Sequence, residues 1–339
     1  MYKIRVVIVL AVMLLLSAFS EVRGEIQNLG QRQDSSSVSQ SSQAKYLLTV
    51  AQIKKLVDTG QCKAAGQAFN QLKSDFPEIS RPDSNDFDLF TEAEILRCQG
   101  KFVKASRALS RLLDEFPPES RFYDAALDRQ FRIATAFLAG AKKSVLGIFK
   151  IKGYAEGVRI MDGISYRVAL DDPEGIGLKA AIAVAEGYEQ RKMFDEAFYR
   201  WAEIKDQHQG KKVGKDALLA MARCKQAMYR GPDFDASDLV GRPFNPKSYH
   251  DSAKGCYDEF KLRHSTDTER FEIDRRLKEV DEKLALKQFK IGQYYQSRGN
   301  KLSANLYYTM VVDRWPNTDS AKMAEEMLVK NSVSPEKTK

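Results

Sequence analysis

The feature that most constrains the fold is a spacing pattern that occurs three times along the chain. Each copy has a Gly, an Ala, two large apolar residues and a Pro, separated by 5, 4, 3 and 5 residues. The copies are Gly60–Ala65–Phe69–Leu72–Pro77, Gly100–Ala105–Leu109–Leu112–Pro117 and Gly299–Ala304–Tyr308–Val311–Pro316. The middle residues lie at helical spacing, the Gly suits a left-handed residue that ends one helix, and the Pro stops the next helix. The pattern therefore predicts repeated helix–turn–helix units.

The C-terminal copy carries a fuller motif, because Gly292 and Tyr295 precede Gly299. A helix–turn–helix phrase of about 34 residues with Gly, Tyr, Ala, an aromatic and Pro at set offsets is typical of the tetratricopeptide repeat. We expect two helices to cross at Gly292 and Ala304, where the small residues let the backbones approach. We expect Tyr295 and Tyr308 to fill the space between the helices.

Three further copies are degenerate or interrupted. One keeps Tyr188, Ala197, Trp201 and Ile204 but has Lys192 and Gln209 in place of Gly and Pro. A second begins at Phe137 and closes between Glu156 and Pro173, around an insertion at Ala141–Tyr154. A third opens near Ala217–Ala227 and closes with Ala253, Tyr257 and Phe260, around an insertion at Arg230–Ser248 that we expect to be irregular. The sequence thus predicts an all-α tetratricopeptide-repeat superhelix of about six helix pairs with two insertions, its concave face lined by the first helix of each pair.

The ends of the chain predict export. Lys3 and Arg5 precede the apolar run Val6–Leu16, and the small residues Ala18 and Ser20 then form a cleavage site before Glu21. We therefore interpret residues 1–20 as a signal peptide. A cut after Gly24 and an uncleaved anchor are the alternatives. Residues 21–44 are predicted to be a flexible Ser/Gln-rich linker, 45–330 the repeat domain and 331–339 a disordered tail. No Cys directly follows the signal, so the sequence does not predict a lipid anchor.

Charge and cysteine content argue against several kinds of site. The net charge is +8, with basic residues dispersed among 46 acids, which does not favour nucleic-acid binding. The four cysteines show neither CxxC spacing nor nearby histidines at metal-ligand spacing, so we predict no metal site. We expect Cys62, Cys98, Cys224 and Cys256 to be small buried side chains, with one disulfide as the alternative.

No catalytic pattern is apparent either. The histidines, His208, His250 and His264, lie near no Ser, Cys or acid in a catalytic spacing. The Gly175–Gly177 turn lacks the preceding strand and the third Gly of a dinucleotide-binding loop, and favours a simple helix start. We predict that the chain is not an enzyme and binds no cofactor.

Two stretches resemble the BamD family of outer-membrane β-barrel assembly components. Phe137–Pro173 resembles a family repeat interrupted by a loop with Gly and Phe, here VLGIFK at Val145–Lys150. Leu277–Pro316 resembles the segment in which a long helix enters a repeat. The resemblance implies a non-catalytic periplasmic scaffold that binds the barrel-inserting subunit and unfolded barrel segments, held at the periplasmic face of the outer membrane by protein contacts. Family members carry a lipidated Cys after the signal, and this chain has none.

Two other functions remain open: a soluble periplasmic repeat adaptor in cell-envelope or peptidoglycan processes, and a regulator of a secretion channel. For partner contacts we choose outward positions on the first helices of the first two repeats. These candidates are Lys54, Asp58, Phe90, Glu94 and Arg97.

Overall fold

The computed structural model describes residues 36–77, 86–145, 149–168, 175–243 and 245–333. The predicted signal peptide and most of the predicted tail, residues 334–339, lie outside this range. The described residues form two compact units that divide after Phe122. Among them the all-α prediction is confirmed, since they contain fifteen α-helices and one two-stranded hairpin.

Unit 1 consists of two helix pairs. They are α1 (Ser36–Asp58) with α2 (Cys62–Asp75), and α3 (Asp86–Cys98) with α4 (Phe102–Glu115). Their apolar residues recur at helical spacing and meet in the core; Ile53, Ala65, Phe69, Leu72 and Ile95 form one buried cluster.

Unit 2 contains four further pairs and a closing helix. The first two pairs are α5 (Tyr123–Leu138) with α6 (Tyr154–Arg167), and α7 (Ile176–Gln190) with α8 (Phe194–Gln207). The next helices are α9 (Lys212–Met228), α10 (Ser237–Val240), α11 (Pro246–His250) and α12 (Ala253–Arg263). The last are α13 (Ile273–Ser297), α14 (Lys301–Arg314) and α15 (Asp319–Val333). Helix α9 packs on α12, α13 on α14, and α14 on α15, so the described residues contain the six predicted pairs.

The first helix begins earlier than expected. Helix α1 starts at Ser36, so the prediction of a flexible linker is wrong for residues 36–44. The apolar positions of 45–58 fix the helix, with Ile53 buried, and extending an existing helix costs far less than nucleating one. Ser and Gln do not prevent this extension, because neither residue breaks a helix.

The repeated turn has one backbone conformation. Gly60, Gly100 and Gly299 have φ of +74°, +71° and +80°, in the left-handed region where Gly has no steric penalty. Lys192 occupies the same place in the α7–α8 turn and also has a positive φ, +60°. The degenerate repeat therefore keeps the turn at the cost of a strained non-glycine residue.

Replacing Lys192 with Gly should consequently stabilise the protein. We expect a gain of about 1 kcal/mol in the free energy of unfolding, because a left-handed L-residue costs about 1–2 kcal/mol and the greater freedom of Gly in the unfolded chain offsets part of that. Urea denaturation followed by circular dichroism measures the change. The matched reverse variant is Gly100→Lys, since a Cβ at Gly100 would meet nothing within 4 Å and only its φ of +71° opposes a side chain. A loss of stability in Lys192→Gly would contradict the argument.

The residue before each repeat-closing Pro leaves the helical conformation, as predicted. Phe76, Phe116 and Trp315 end α2, α4 and α14 with ψ of 59°, 144° and 53°. The ring of a following Pro disfavours the α region for the preceding residue. These prolines therefore fix where the second helix of each regular pair ends.

The two insertions take different forms. Ala141–Tyr154 folds into a β-hairpin of β1 (Lys142–Val145) and β2 (Phe149–Lys152) between α5 and α6. Arg230–Ser248 contains α10 and α11, so the expectation of a wholly irregular segment is wrong. Local interactions favour these short helices. Asp235 accepts a hydrogen bond from the backbone N–H of Ser237 at 3.1 Å, and α11 begins with an Asn245 side-chain cap followed by Pro246.

The crossing of α13 and α14 shows why small residues recur in the motif. A Cβ placed on Gly292 would lie 2.5 Å from Cε1 of Tyr308. Tyr308 is completely buried, its ring centroid is 5.4 Å from that of Phe289, and its hydroxyl donates to Oε1 of Gln296 at 2.9 Å. The predicted close approach at Gly292 is confirmed.

Candidate partner-binding surface

The five candidate residues lie on the two helices that were expected to carry them. Lys54 and Asp58 are exposed and one turn apart on α1. Phe90, Glu94 and Arg97 are half-buried on α3. The structure therefore places the candidates in one unit, and it gives them contacts that the sequence did not reveal.

Three of the candidates are electrostatically coupled. Arg97 binds Glu94 with its Nη2 atom 3.0 Å from Oε2. The hydrogen bond to Glu94 raises the pKa of Arg97 above its usual value, burial opposes this, and the charges of Glu94 and Asp58 add to the increase. The guanidinium is thus already neutralised within the unit, which leaves Lys54 as the exposed cation of the set.

Phe90 is not an isolated exposed aromatic. Its ring stacks on Phe122 with centroids 5.0 Å apart and an interplanar angle of 22°. Phe122 also contacts Phe87, with centroids 6.0 Å apart, and the Arg121 guanidinium carbon lies 4.7 Å from its ring centre. Phe90 therefore helps to hold the end of unit 1 in place.

A groove lies between α2 and α3, on a different side of α3 from the candidates. Its volume is about 740 Å³. The floor is apolar, formed by Phe69, Ile95 and Leu96. Close packing defines one side, because the space beside Gly66 is filled by Gln99, whose Nε2 donates to the carbonyl oxygen of Cys62 at 3.1 Å.

The rim of the groove is basic. Lys63, Lys73 and Lys101 line it with one acid, Glu92, which leaves three positive charges against one negative, a formal charge of +2. The Lys73 Nζ lies 4.3 Å from the centre of the Phe69 ring, so this ammonium group is held over the apolar floor. An apolar floor with a cationic rim suits an extended segment that carries both apolar and acidic side chains.

The cysteines correct one expectation. Cys62 and Cys98 form a disulfide with Cα atoms 5.5 Å apart, so the prediction of four free buried thiols is wrong for these two. The bond joins the start of α2 to the end of α3 and lines the groove. Cys224 and Cys256 are free and buried, as predicted, and burial raises the pKa of each thiol to about 12.

The position of the disulfide follows from the repeat. Cys62 lies two residues after Gly60, and Cys98 lies two residues before Gly100. Stacking consecutive repeats brings equivalent turns together, so the two cysteines meet beside equivalent turns. This alignment with the turn glycines was the signal in the sequence that could have predicted the bond.

The described side chains do not cluster in the way that a metal site requires. Within the described ranges, no group of three or more His, Cys, Asp or Glu residues is placed to hold a metal ion. His208 is buried, and His264 has a pKa below its usual value, chiefly because it is partly buried. In the same part of the chain, no helix combines the length and apolar character required to cross a bilayer.

Comparisons with known proteins add little. No protein-family model matches the chain, and no curated protein matches it. The solved structures that match include the C-terminal part of a TPR repeat-containing protein from Cytophaga hutchinsonii; the match covers 81% of this chain and 98% of that protein's chain. The sequence identity is 14% and the TM-score is 0.29, so this similarity adds no weight to the helix pairing described above.

Proposed function

We propose that this chain is a non-catalytic scaffold that binds proteins in outer-membrane β-barrel assembly. The observation that carries the proposal is the α2–α3 groove, set in an array of helix pairs. An apolar floor of Phe69, Ile95 and Leu96 beneath three lysines offers a partner both burial and charge complementarity. Helices α2 and α3, joined by the Cys62–Cys98 bond, supply the surface on which such a segment can lie.

The disulfide supports the exported part of the proposal. Disulfides persist in the periplasm and other oxidising compartments and are rare in the cytosol. The Cys62–Cys98 bond is therefore in keeping with the signal peptide predicted for residues 1–20. On this proposal the protein lies at the periplasmic face of the outer membrane, held there by protein contacts.

The resemblance supports the particular machine. The stretch Phe137–Pro173 contains an insertion between paired helices, here the β1–β2 hairpin. The stretch Leu277–Pro316 begins in the 25-residue helix α13, which leads into the most complete repeat motif. Both features match what the BamD-like pattern implies for these segments. The partner expected on this basis is the barrel-inserting subunit, with unfolded barrel segments as clients.

Co-purification from solubilised envelope membranes tests this proposal. Affinity-tagged protein should recover a barrel-inserting outer-membrane protein, identified by mass spectrometry. Recovery of peptidoglycan-processing factors instead would favour the soluble envelope adaptor, and recovery of a secretion channel would favour the regulator. Release of the untagged protein into the soluble periplasm by mild salt would argue against a membrane-complex scaffold.

Charge reversal in the groove should weaken partner capture. We expect Lys63→Glu with Lys73→Glu to reduce the recovered partner about ten-fold, because each exposed ion pair contributes up to about 1 kcal/mol and reversal adds repulsion. Quantitative pull-down measures the effect. The control is Lys104→Glu with Lys211→Glu, two exposed lysines that do not line the groove and whose reversal changes the net charge equally. Equal losses from both variants would show that net charge, rather than the groove, governs capture.

A further inference from the structure

The hairpin between α5 and α6 concentrates positive charge on one face. The insertion Ala141–Tyr154 contains four lysines and no acid. In the strand register, Lys142 is paired with Lys152 and Lys143 with Ile151. Directly opposite residues share a face and successive residues alternate, so Lys142, Lys150 and Lys152 lie on one face, here named the lysine face.

The remaining lysine anchors the opposite face to the helices. The Lys143 Nζ lies 3.3 Å from Oε2 of Glu156, a nearly buried carboxylate at the start of α6. Burial alone would raise the pKa of Glu156, but hydrogen bonds and charges from Arg159 and Lys143 outweigh it and hold the pKa below its usual value. Glu156 is thus ionised at neutral pH and holds this side of the hairpin in place.

The base of the hairpin is also fixed. Gly153 donates its backbone N–H to the carbonyl oxygen of Ala141 at 2.9 Å. A Cβ on Gly153 would lie only 2.2 Å from Cδ1 of Phe137, so the chain passes tightly against the end of α5. Lys143 and the base of the hairpin are thus attached to the helices, Ile151 on the Lys143 face is 49% exposed, and the lysine face lies on the other side of the hairpin.

The lysine face is electrostatically incomplete. Lys142, Lys150 and Lys152 are all exposed, and none of them makes an ion pair with another described side chain. Like charges directly opposite each other on paired strands destabilise the pairing, and Lys142 faces Lys152 in this way. The Tyr154 ring lies beside this group, with its centre 5.5 Å from Lys152 Nζ. An anionic counterpart from outside the chain would remove this repulsion.

We propose that the lysine face docks the protein onto an anionic lipid surface. A lysine ammonium group on its flexible stem is a point charge without the fixed geometry of a guanidinium fork. Three such groups therefore favour a ligand with a high density of negative charge rather than one of a particular shape. Lipid headgroups in a fluid bilayer can move to meet the lysines, whereas an acidic protein partner needs acids at fixed positions and an apolar anchor. The net charge, +8 for the whole chain and +6 without Lys3 and Arg5 of the predicted signal peptide, adds long-range attraction of the same sign. This proposal does not depend on the protein-binding role.

Vesicle co-sedimentation tests the proposal with the whole purified chain. The probes are phosphatidylcholine vesicles with and without phosphatidylglycerol. All protein variants have the same N-terminal sequence, so that the apolar N-terminal run contributes equally to every sample. The protein should bind the phosphatidylglycerol vesicles and be released by salt. We expect the triple variant Lys142→Gln, Lys150→Gln and Lys152→Gln to lower the partition coefficient about a hundred-fold, since each lysine near an anionic surface contributes roughly a factor of five.

A charge-matched variant makes the result specific to the hairpin. The control is a triple variant that removes three exposed lysines outside the hairpin and changes the net charge by the same amount. Its substitutions are Lys104→Gln, Lys211→Gln and Lys212→Gln. This variant should retain most of the binding, and the helical circular-dichroism signal should be unchanged in both. Equal loss in the two variants, or no preference of the wild-type protein for phosphatidylglycerol, would overturn the proposal. Capture of the hairpin by soluble polyglutamate without any vesicle binding would assign the face to an acidic protein instead.

Discussion

Replacing Tyr308 with Ala is expected to lower the free energy of unfolding of the C-terminal helices by about 3–5 kcal/mol. The ring is completely buried between α13 and α14, where it contacts Phe289 and closes over Gly292. Truncation removes this apolar burial and leaves a cavity that the two helices can only partly close. Because contacts in a repeat array are mostly between neighbours, hydrogen exchange should accelerate mainly in α13, α14 and α15. Urea denaturation and amide exchange measure the two effects.

Two companion variants separate packing from hydrogen bonding at this position. Tyr308→Phe keeps the ring and removes only the bond to Gln296, so it should cost about 0.5–1.5 kcal/mol. Gly292→Ala should cost about 1–3 kcal/mol by overpacking, because its Cβ meets the Tyr308 ring. The same change should cost much less in the Tyr308→Ala background, where those ring atoms are missing. Simple additivity of Gly292→Ala and Tyr308→Ala would contradict the close approach described here.

Removing the Cys62–Cys98 disulfide is expected to destabilise unit 1 by about 3–4 kcal/mol. The bond closes a loop with a sequence separation of 36, and a loop of that size corresponds to about this loss of chain entropy in the unfolded state. Urea denaturation of wild type with and without a reductant measures the effect, and amide exchange should localise it to the helices α1–α4.

The double variant Cys62→Ala with Cys98→Ala is the control for the reductant itself. Its stability should match that of the reduced wild type and should not respond to added reductant. Oxidised wild type should contain two titratable thiols after unfolding, those of Cys224 and Cys256. Four free thiols in protein purified under oxidising conditions would exclude the bond.

The regular repeats were predictable because the information is local. Gly60, Gly100 and Gly299 are needed for a left-handed turn, whatever the surrounding structure. The conformation of Phe76 and Trp315 follows from the next residue, which is Pro. The degenerate copy shows the limit of this reasoning, since nothing about Lys192 itself indicates a φ of +60°. Only its alignment with the glycines of the other copies places it in the turn.

Three of the less accurate predictions concern segments whose state depends on distant contacts. Residues 36–44 look like a linker by composition, but the packing of Ile53 in unit 1 fixes the helix that includes them. Cys62 and Cys98 look like unrelated small residues until two repeats stack. The candidate contacts on α3 were chosen as outward positions, yet Arg97 is paired with Glu94, and Phe90 stacks on Phe122.

The sequence alone determined that this chain is an array of helix pairs, because turn glycines, crossing residues and closing prolines act through backbone sterics within a single repeat. It also located both interruptions of the array at their true positions. The tertiary structure alone decided what lies between the repeats: the Cys62–Cys98 bond, the groove of α2 and α3, and the orientation of the lysine face. Each of these depends on which side of an element its neighbour covers, and that is fixed by packing between segments far apart in the chain.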